Sequence, residues 1–470
     1  MKRSREGEQS NSSDGERIPA KRLPTREMDQ LKLIDLPELC KDRILSNLNF
    51  DNLMSAITAH SAFYDSASRV FHQNFSKKMI IYSDERYDQY YEDVWNERIG
   101  LKFERIHNEN GFLLALECFG PDIRALGVTI TKQSTLNKII EKCGHSVNEL
   151  VILPAEKNLM LNATLPNLRK LAFVMGNYDL DDSWMKFNEN FPRLICLEFH
   201  DRMAINFKFK TIYVQHMPKL SKFIYHLSKV SYENIQNISD FINQNVQIKS
   251  LSLYGSFELD KLQSSIEWHQ LKVKHLKIMS NNDIKIDYIQ MLNSIESLTL
   301  KGHEYHGSRL RHLNKLRKLD IHTWDWQKMP WFDIGHAALQ QVTIRIDYNL
   351  IDKSRILKNL YVFVENLRFS LKMIKFVVCE TMFCEFARHI FVGMARTFKA
   401  ITRLDKIILE IDSTVPSSAR NFARFDWKYY IDAHKKNNLK LERKRFRDQI
   451  TGTKLTVLTM TVDNLEHQEI

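Results

Sequence analysis

From residue 120 onward the chain repeats one short pattern: apolar, two free positions, apolar, one free position, apolar. It first reads Ile123-Arg-Ala-Leu126-Gly-Val128 and then Val147-Asn-Glu-Leu150-Val-Ile152. Its middle apolar residue recurs as Leu126, Leu150, Leu171, Leu197, Phe223, Leu251, Leu276, Leu298, Leu319, Val342, Ile374 and Ile407. The first nine intervals run from 21 to 28 residues, and the last two are 32 and 33. Alternating apolar positions predict a strand with one buried face. The stretches between have helical spacing, as over Tyr232–Asn243, so each unit predicts a strand followed by a helix or irregular turn.

A different pattern precedes the repeats. Leu36, Cys40, Ile44 and Leu48 recur every four residues, with Leu39 beside them, and predict a first amphipathic helix. Asp35 is placed to cap it, and Pro37 is tolerated in its first turn. Asp51 is placed to cap a second helix carrying Leu53, Met54 and Ile57, and Phe63, Ala67, Val70 and Phe71 give a third. Three short helices supply little core, so the module is expected to lean on a partner or on the rest of the chain.

The chain has 470 residues, more than one ordinary core, so it holds several domains or one array that grows by repetition. Glycine (14) and proline (10) are scarce, which argues against a linker-rich chain. Six cysteines stand at 40, 118, 143, 196, 379 and 384 with no C-x-x-C pair, so they read as free thiols of a reducing compartment. Cytoplasmic or nuclear residence is expected. The N-terminus lacks the apolar core of a secretory signal, and no run of 18 apolar residues predicts a membrane span. Residues 1–29 read as a disordered charged tail, in which Lys2-Arg3 and Lys21-Arg22 have the look of a split import signal. Net charge is +11, which permits acidic partners. Nucleic acid is not expected as a partner, because no reading module and no basic-aromatic clustering is present.

Catalytic chemistry finds little support. His303-Glu304-Tyr305-His306 places its histidines three apart, not four, so they would not share the helical face of a zinc-protease motif, and a surface loop is expected there. No phosphate loop and no nucleophile elbow occurs. No catalytic residue, metal site or cofactor is expected.

Leu36-Pro37-x-Leu39, then Ile44-Leu45-x-x-Leu48, then Asp51-x-Leu53 resembles the F-box, with Phe63-Tyr64 where that family has a tryptophan. The repeats resemble a leucine-rich-repeat domain, whose unit spans 20–29 residues. The Asn or Cys usual three residues after the last apolar position occurs here only as Asn281. These resemblances imply an α/β fold: a three-helix F-box over 31–75, a connecting and capping segment over 76–119, a curved leucine-rich-repeat solenoid over 120–412, and a C-terminal cap with a basic segment over 413–470. They imply that Leu36, Pro37, Leu39, Ile44, Leu45, Leu48, Leu53 and Phe63 bind the Skp-type adaptor of a cullin ubiquitin ligase, and that the repeats hold a protein client. The chain would then be the ligase's non-catalytic substrate receptor. An interaction scaffold outside any ligase, and a basic nuclear nucleic-acid-associated protein, are the other readings.

Between the anchors of each strand, the alternate positions should face outward on the concave side. They include Glu198, His200, Lys222, His226, Tyr254, His275, Lys277, Lys301, Lys318, Asp320, His322 and Arg345. This stripe is basic, and His200, Lys222, Tyr254, His275, Lys277, Lys301, Lys318, His322 and Arg345 are the candidate contacts to an acidic or phosphorylated client segment. A second basic cluster, Lys435-Lys436 through Arg447, reads as a solvated helix.

Overall fold

The computed structural model describes residues 33–83, 103–155, 159–175, 182–201, 216–226, 232–255, 259–280, 287–302, 310–323, 338–346 and 370–379, with shorter pieces at 284–285, 305–306, 362–363, 366–367, 406–412, 439–447 and 454–462. The charged tail with its two basic pairs, the position-281 asparagine and Cys384 lie outside these residues. The chain divides into two compact units, Met1–Val70 and Phe71–Ile470.

In the first unit, helices α1 (Glu38–Leu45), α2 (Phe50–Ala59) and the start of α3 (Tyr64–Asn74) lie where the four-residue spacing predicts them. Their caps differ from expectation. Asp35 belongs to a separate short turn, and α1 starts from Pro37 without a side-chain cap. Asn49, not Asp51, caps α2: its side chain accepts from the Asn52 amide at 2.9 Å. Asp51 lies one residue inside the helix, in its first turn, where a negative charge still complements the helix dipole. The unit's core is built from Leu45, Phe50, Leu53, Ile57, Phe63, Ala67 and Val70, all buried.

The second unit is α/β and carries an open, 16-stranded sheet. Its strands are β1 (Met79–Tyr82), β2 (Phe103–Ile106), β3 (Ala125–Ile130), β4 (Glu149–Pro154), β5 (Lys170–Met175), β6 (Cys196–Asp201), β7 (Lys222–His226), β8 (Ser250–Gly255) and β9 (His275–Ser280). Next come β11 (Ser297–Gly302), β13 (Lys318–Thr323), β14 (Gln341–Ile346), β15 (Met373–Cys379), β16 (Lys406–Asp412), β17 (Leu439–Arg447) and β18 (Lys454–Val462). β10 (Ile284–Lys285) and β12 (Tyr305–His306) form a separate parallel pair. Every pairing from β2 and β1 through to β16 is parallel, and from β3 to β16 the order in the sheet follows the order in the chain.

The register follows the sequence pattern. Leu171 faces Leu197, Leu197 faces Phe223, Phe223 faces Leu251 and Leu251 faces Leu276, and the row continues through Leu298, Leu319, Val342 and Ile374 to Ile407. From Leu171 to Ile374 one buried apolar position thus stacks on the next at every step. The turn before each strand also recurs. Leu165-Pro-Asn-Leu168, Phe191-Pro-Arg-Leu194 and Met217-Pro-Lys-Leu220 each close a bond from the last residue's amide to the first residue's carbonyl, as Leu313–Leu316 does without proline. Proline suits the second position of such a turn because its backbone angle is already set. Helices Glu109–Phe119, Gln133–Cys143 and Tyr232–Gln244 lie on the anchor side: Phe112 stacks on Tyr82 at 4.5 Å, and Phe241 meets Phe223 at 5.0 Å.

The segment before residue 120, expected to connect and cap, supplies two strands at one edge of the same sheet, Met79–Tyr82 and Phe103–Ile106. All four residues of β1 are buried, so the strand reads as a continuous apolar run without the hexapeptide spacing. The C-terminal basic cluster is not helical where it is described. Leu439–Arg447 is a strand paired antiparallel with Lys454–Val462, whose alternating Thr and apolar residues supply a strand partner.

Candidate functional site

In the first unit, the residues singled out for adaptor binding fall into three sets, buried, half-buried and exposed. Leu45, Leu53 and Phe63 are buried, so they hold the module together and do not face a partner. The face predicted by the four-residue spacing, Leu36, Cys40, Ile44 and Leu48, is half-buried or exposed, and α1 instead sends Leu45 into the core. Leu36 and Leu48 are half-buried. Pro37 is exposed, Leu39 is 82% exposed and Ile44 is 39% exposed, with Cys40 exposed beside them. Leu33, just upstream, is also exposed. Helix α1 therefore leaves an apolar edge in water.

In the second unit, the sheet register brings the whole candidate stripe to one face, opposite the anchors. Glu198 lies in the same cross-strand row as Ser252, Lys277, Thr299 and Asp320. His200, His226 and Tyr254 share the next row with Lys301, His322 and Arg345. In-register parallel strands hold equivalent side chains about 4.8 Å apart, so flat rings in one row stack. The His200 and His226 rings lie 4.4 Å apart, and His226 lies 3.8 Å from Tyr254 at an interplanar angle of 8°. Lys277 Nζ stands 4.8 Å from the Tyr254 ring centre, a cation–π contact.

This face has three zones. Its first part is apolar and closed: Met79, Ile81, Val151, Leu153, Ala172 and Val174 are buried together. The hexapeptide anchors alone do not mark this cluster as core. The signal was present in the unbroken apolar run Leu150–Leu153, which marks a strand buried on both faces. The middle zone is a buried polar knot. Glu198 Oε2 lies 3.1 Å from His200 Nε2, its Oε1 lies 3.3 Å from Cys196 Sγ and 3.9 Å from Lys222 Nζ. His200 is 4% exposed, so the expectation that it meets a client is corrected: its ring is taken up by Glu198 and His226. The third zone, from β9 to β15, is basic. Lys318 and His275 are exposed, and Lys277, Lys301, His322 and Arg345 are half-buried. Among the described residues, Lys301 and Lys318 have no ion-pair partner.

Asp320 is the acid within this zone. Arg345 Nε stands 3.5 Å from its Oδ1. Burial holds the Asp320 carboxyl above the ordinary carboxylate range, and the nearby charges of Arg345, His322 and Lys277 pull it back only in part.

The His303–His306 segment is not a surface loop where it is described. Tyr305 is buried in β12, and its hydroxyl donates to the carbonyls of Leu300, at 3.2 Å, and His322, at 2.7 Å. Among the described residues, no three His, Cys, Asp or Glu side chains are grouped to hold a metal ion, and no helix is long and apolar enough to cross a membrane. No protein-family model matches the chain, and no curated protein matches it significantly.

Proposed function

We propose that the chain is a receptor that joins two proteins: an adaptor, docked on the N-terminal helices, and a client, held on the sheet. In its specific form, the first unit is an F-box and the second a leucine-rich-repeat solenoid. The adaptor is then of the Skp type, within a cullin ubiquitin ligase, and the client is the protein to be modified. The chain itself makes and breaks no bond; it raises the client's effective concentration near a separate conjugating enzyme.

The observation that supports this reading is the exposed apolar edge of α1. A small unit with only seven buried apolar side chains in its core leaves Leu39 and Ile44 in solvent. Apolar side chains grouped on a surface mark an interaction site, and burying such an edge on a partner would stabilise a module short of core. The test is co-purification of the full chain with a Skp-type adaptor. Leu39→Asp with Ile44→Asp should abolish capture of the adaptor and leave the fold intact. Undiminished capture would sink the docking claim. Wild-type protein that binds clients but no adaptor would favour the scaffold reading.

A further inference from the structure

The third zone of the sheet face has a charge imbalance that its position makes specific. On the strand residues of this face from β9 to β15, the cations are Lys277, Lys301, Lys318, Arg345 and Lys375, and the acid is Asp320 alone. Lys301, His322 and Arg345 face one another in register on β11, β13 and β14. At a strand spacing of about 4.8 Å, Lys301 and Arg345 stand about 10 Å apart in one row with His322 between them, so an anion laid across the row reaches both cations. From β9 to β15 the zone spans about 19 Å, the length of roughly six extended residues.

We propose that this zone binds an acidic peptide segment laid across the strands, and that Asp320 is the internal counter-ion which the segment displaces from Arg345. The Asp320–Arg345 pair is loose. Its 3.5 Å separation is longer than a good charge-assisted hydrogen bond, and Asp320 Oδ1 makes no hydrogen bond although it is buried. An incoming carboxylate can engage the guanidinium through two parallel bonds, which Asp320 does not. Carboxylate and phosphate oxygens share this chemistry, so a glutamate-rich and a phosphorylated segment are two sources of one ligand.

The same face disfavours single-stranded nucleic acid. Such ligands need open aromatic faces on which bases stack. Tyr254 borders the zone, but His226 from β7 covers its ring on one side and Lys277 from β9 stands over the other. Peptide binding by charge alone does not need that ring.

The inference rests on the receptor reading only in taking the segment to be part of a client. The experiment measures anisotropy of fluorescein-labelled hexaglutamate, a hexapeptide with two phosphoserines, and hexauridylate, added to the full chain at low salt. Lys301→Glu and Arg345→Gln should each weaken both peptides about tenfold or more, since a hydrogen bond to a charged group is lost. Asp320→Asn should tighten them about threefold by releasing Arg345. Lys138→Glu, the same charge change on helix Gln133–Cys143, should leave binding within twofold. Unaltered peptide binding in Lys301→Glu and Arg345→Gln would overturn the proposal, as would equal weakening by Lys138→Glu or weaker binding by Asp320→Asn. Tighter binding of hexauridylate than of either peptide would overturn it in favour of nucleic acid. Whichever peptide binds tighter identifies the source of the anion. Adaptor capture by the same variants is read separately, so failure here leaves the docking claim where it stood.

Discussion

Arg69 of α3 grips Asp42 of α1 with two parallel hydrogen bonds, Nε to Oδ2 at 2.8 Å and Nη2 to Oδ1 at 3.0 Å. The same Nη2 reaches Glu38 at 3.0 Å and Ser66 at 3.1 Å. The fork of a guanidinium fits a carboxylate in this way, and the pair ties the first helix to the third across 27 residues. Because α1 keeps its apolar edge in water, this polar clamp carries more of its attachment than its small buried face would suggest.

The clamp makes the helical unit acid-sensitive. The hydrogen bonds from Arg69 hold the Asp42 carboxyl below its ordinary range, with Ser66 adding to the effect and burial opposing it. A depressed carboxylate contributes stability that is fully present above its unfolded pKa, about 3.9, and is lost as pH falls through the lower folded value. Arg69→Met should cost about 1 kcal/mol at pH 7, since the pair is partly open to solvent. Asp42→Asn should cost a similar amount. The difference from wild type should shrink as pH falls below about 4 in both. Hydrogen exchange in peptides covering residues 38–59 reads this directly. A cost in Arg69→Met that does not change with pH would show that the clamp is not ionic.

Core and edge in the same helices should respond oppositely. Leu53 is fully buried, so Leu53→Ala should destabilise the unit by about 2–4 kcal/mol. Leu39→Asp lies in solvent and should change stability by less than about 0.5 kcal/mol. Urea unfolding of the two variants checks the contrast. A large loss in Leu39→Asp would mean that the edge is structural and not an interface.

The strands were legible in the sequence because each hexapeptide states a period of two, and repetition states it again at the next interval. That is why Leu171, Leu197, Phe223 and Leu251 fall into one row. The first helices were legible for the same reason at a period near four, but the pattern could not separate core from edge: Leu45 and Ile44 are neighbours in the motif and opposite in burial. The caps were missed because Asn49 and Asp51 are equally good cap residues, and only the chain's entry angle chooses between them. On the sheet, the register of His200, His226 and Tyr254 followed from counting. Burial of His200 did not, since it depends on Glu198 and on the closed apolar zone beside it.

Thiol labelling separates exposed from buried cysteines. Burial pushes the Cys143 thiol up to about 12 and the Cys118 thiol, also repelled by Glu117, to about 11. The thiolate is the reactive form, so both should resist iodoacetamide at pH 7.5 in the folded protein. Cys40 is exposed on α1 and should be alkylated before Cys118, Cys143 and Cys196. If the adaptor docks on the edge formed by Leu39 and Ile44, adding it should protect Cys40. Mass spectrometry of the labelled peptides reads both effects. Labelling of Cys143 at the rate of Cys40 would contradict the packing of helix Gln133–Cys143.

Asn245 offers a test of how neighbouring repeat units are joined. It is fully buried. Its amide nitrogen donates to the Phe241 carbonyl at 2.8 Å, ending the helix Tyr232–Gln244. Its amide oxygen accepts from the Met217 backbone at 2.7 Å, in the turn of the preceding unit, and from Gln247 at 3.2 Å. Asn245→Leu keeps the branching and the number of side-chain heavy atoms but leaves the Met217 amide and the Phe241 carbonyl without these bonds. A buried polar group left unsatisfied costs about 1–3 kcal/mol, so the expected loss is about 2–6 kcal/mol for the two. Asn245→Asp keeps the acceptor and loses the donor, and it also buries a charge. It should therefore be at least as destabilising at pH 7 and recover part of the loss once the carboxyl is protonated, because the neutral acid can donate to Phe241 again. Urea midpoints at pH 7 and pH 4 measure both variants. Equal stability of Asn245→Leu and wild type would mean that the units are held by apolar stacking alone, with the Asn245 bridge contributing no net energy.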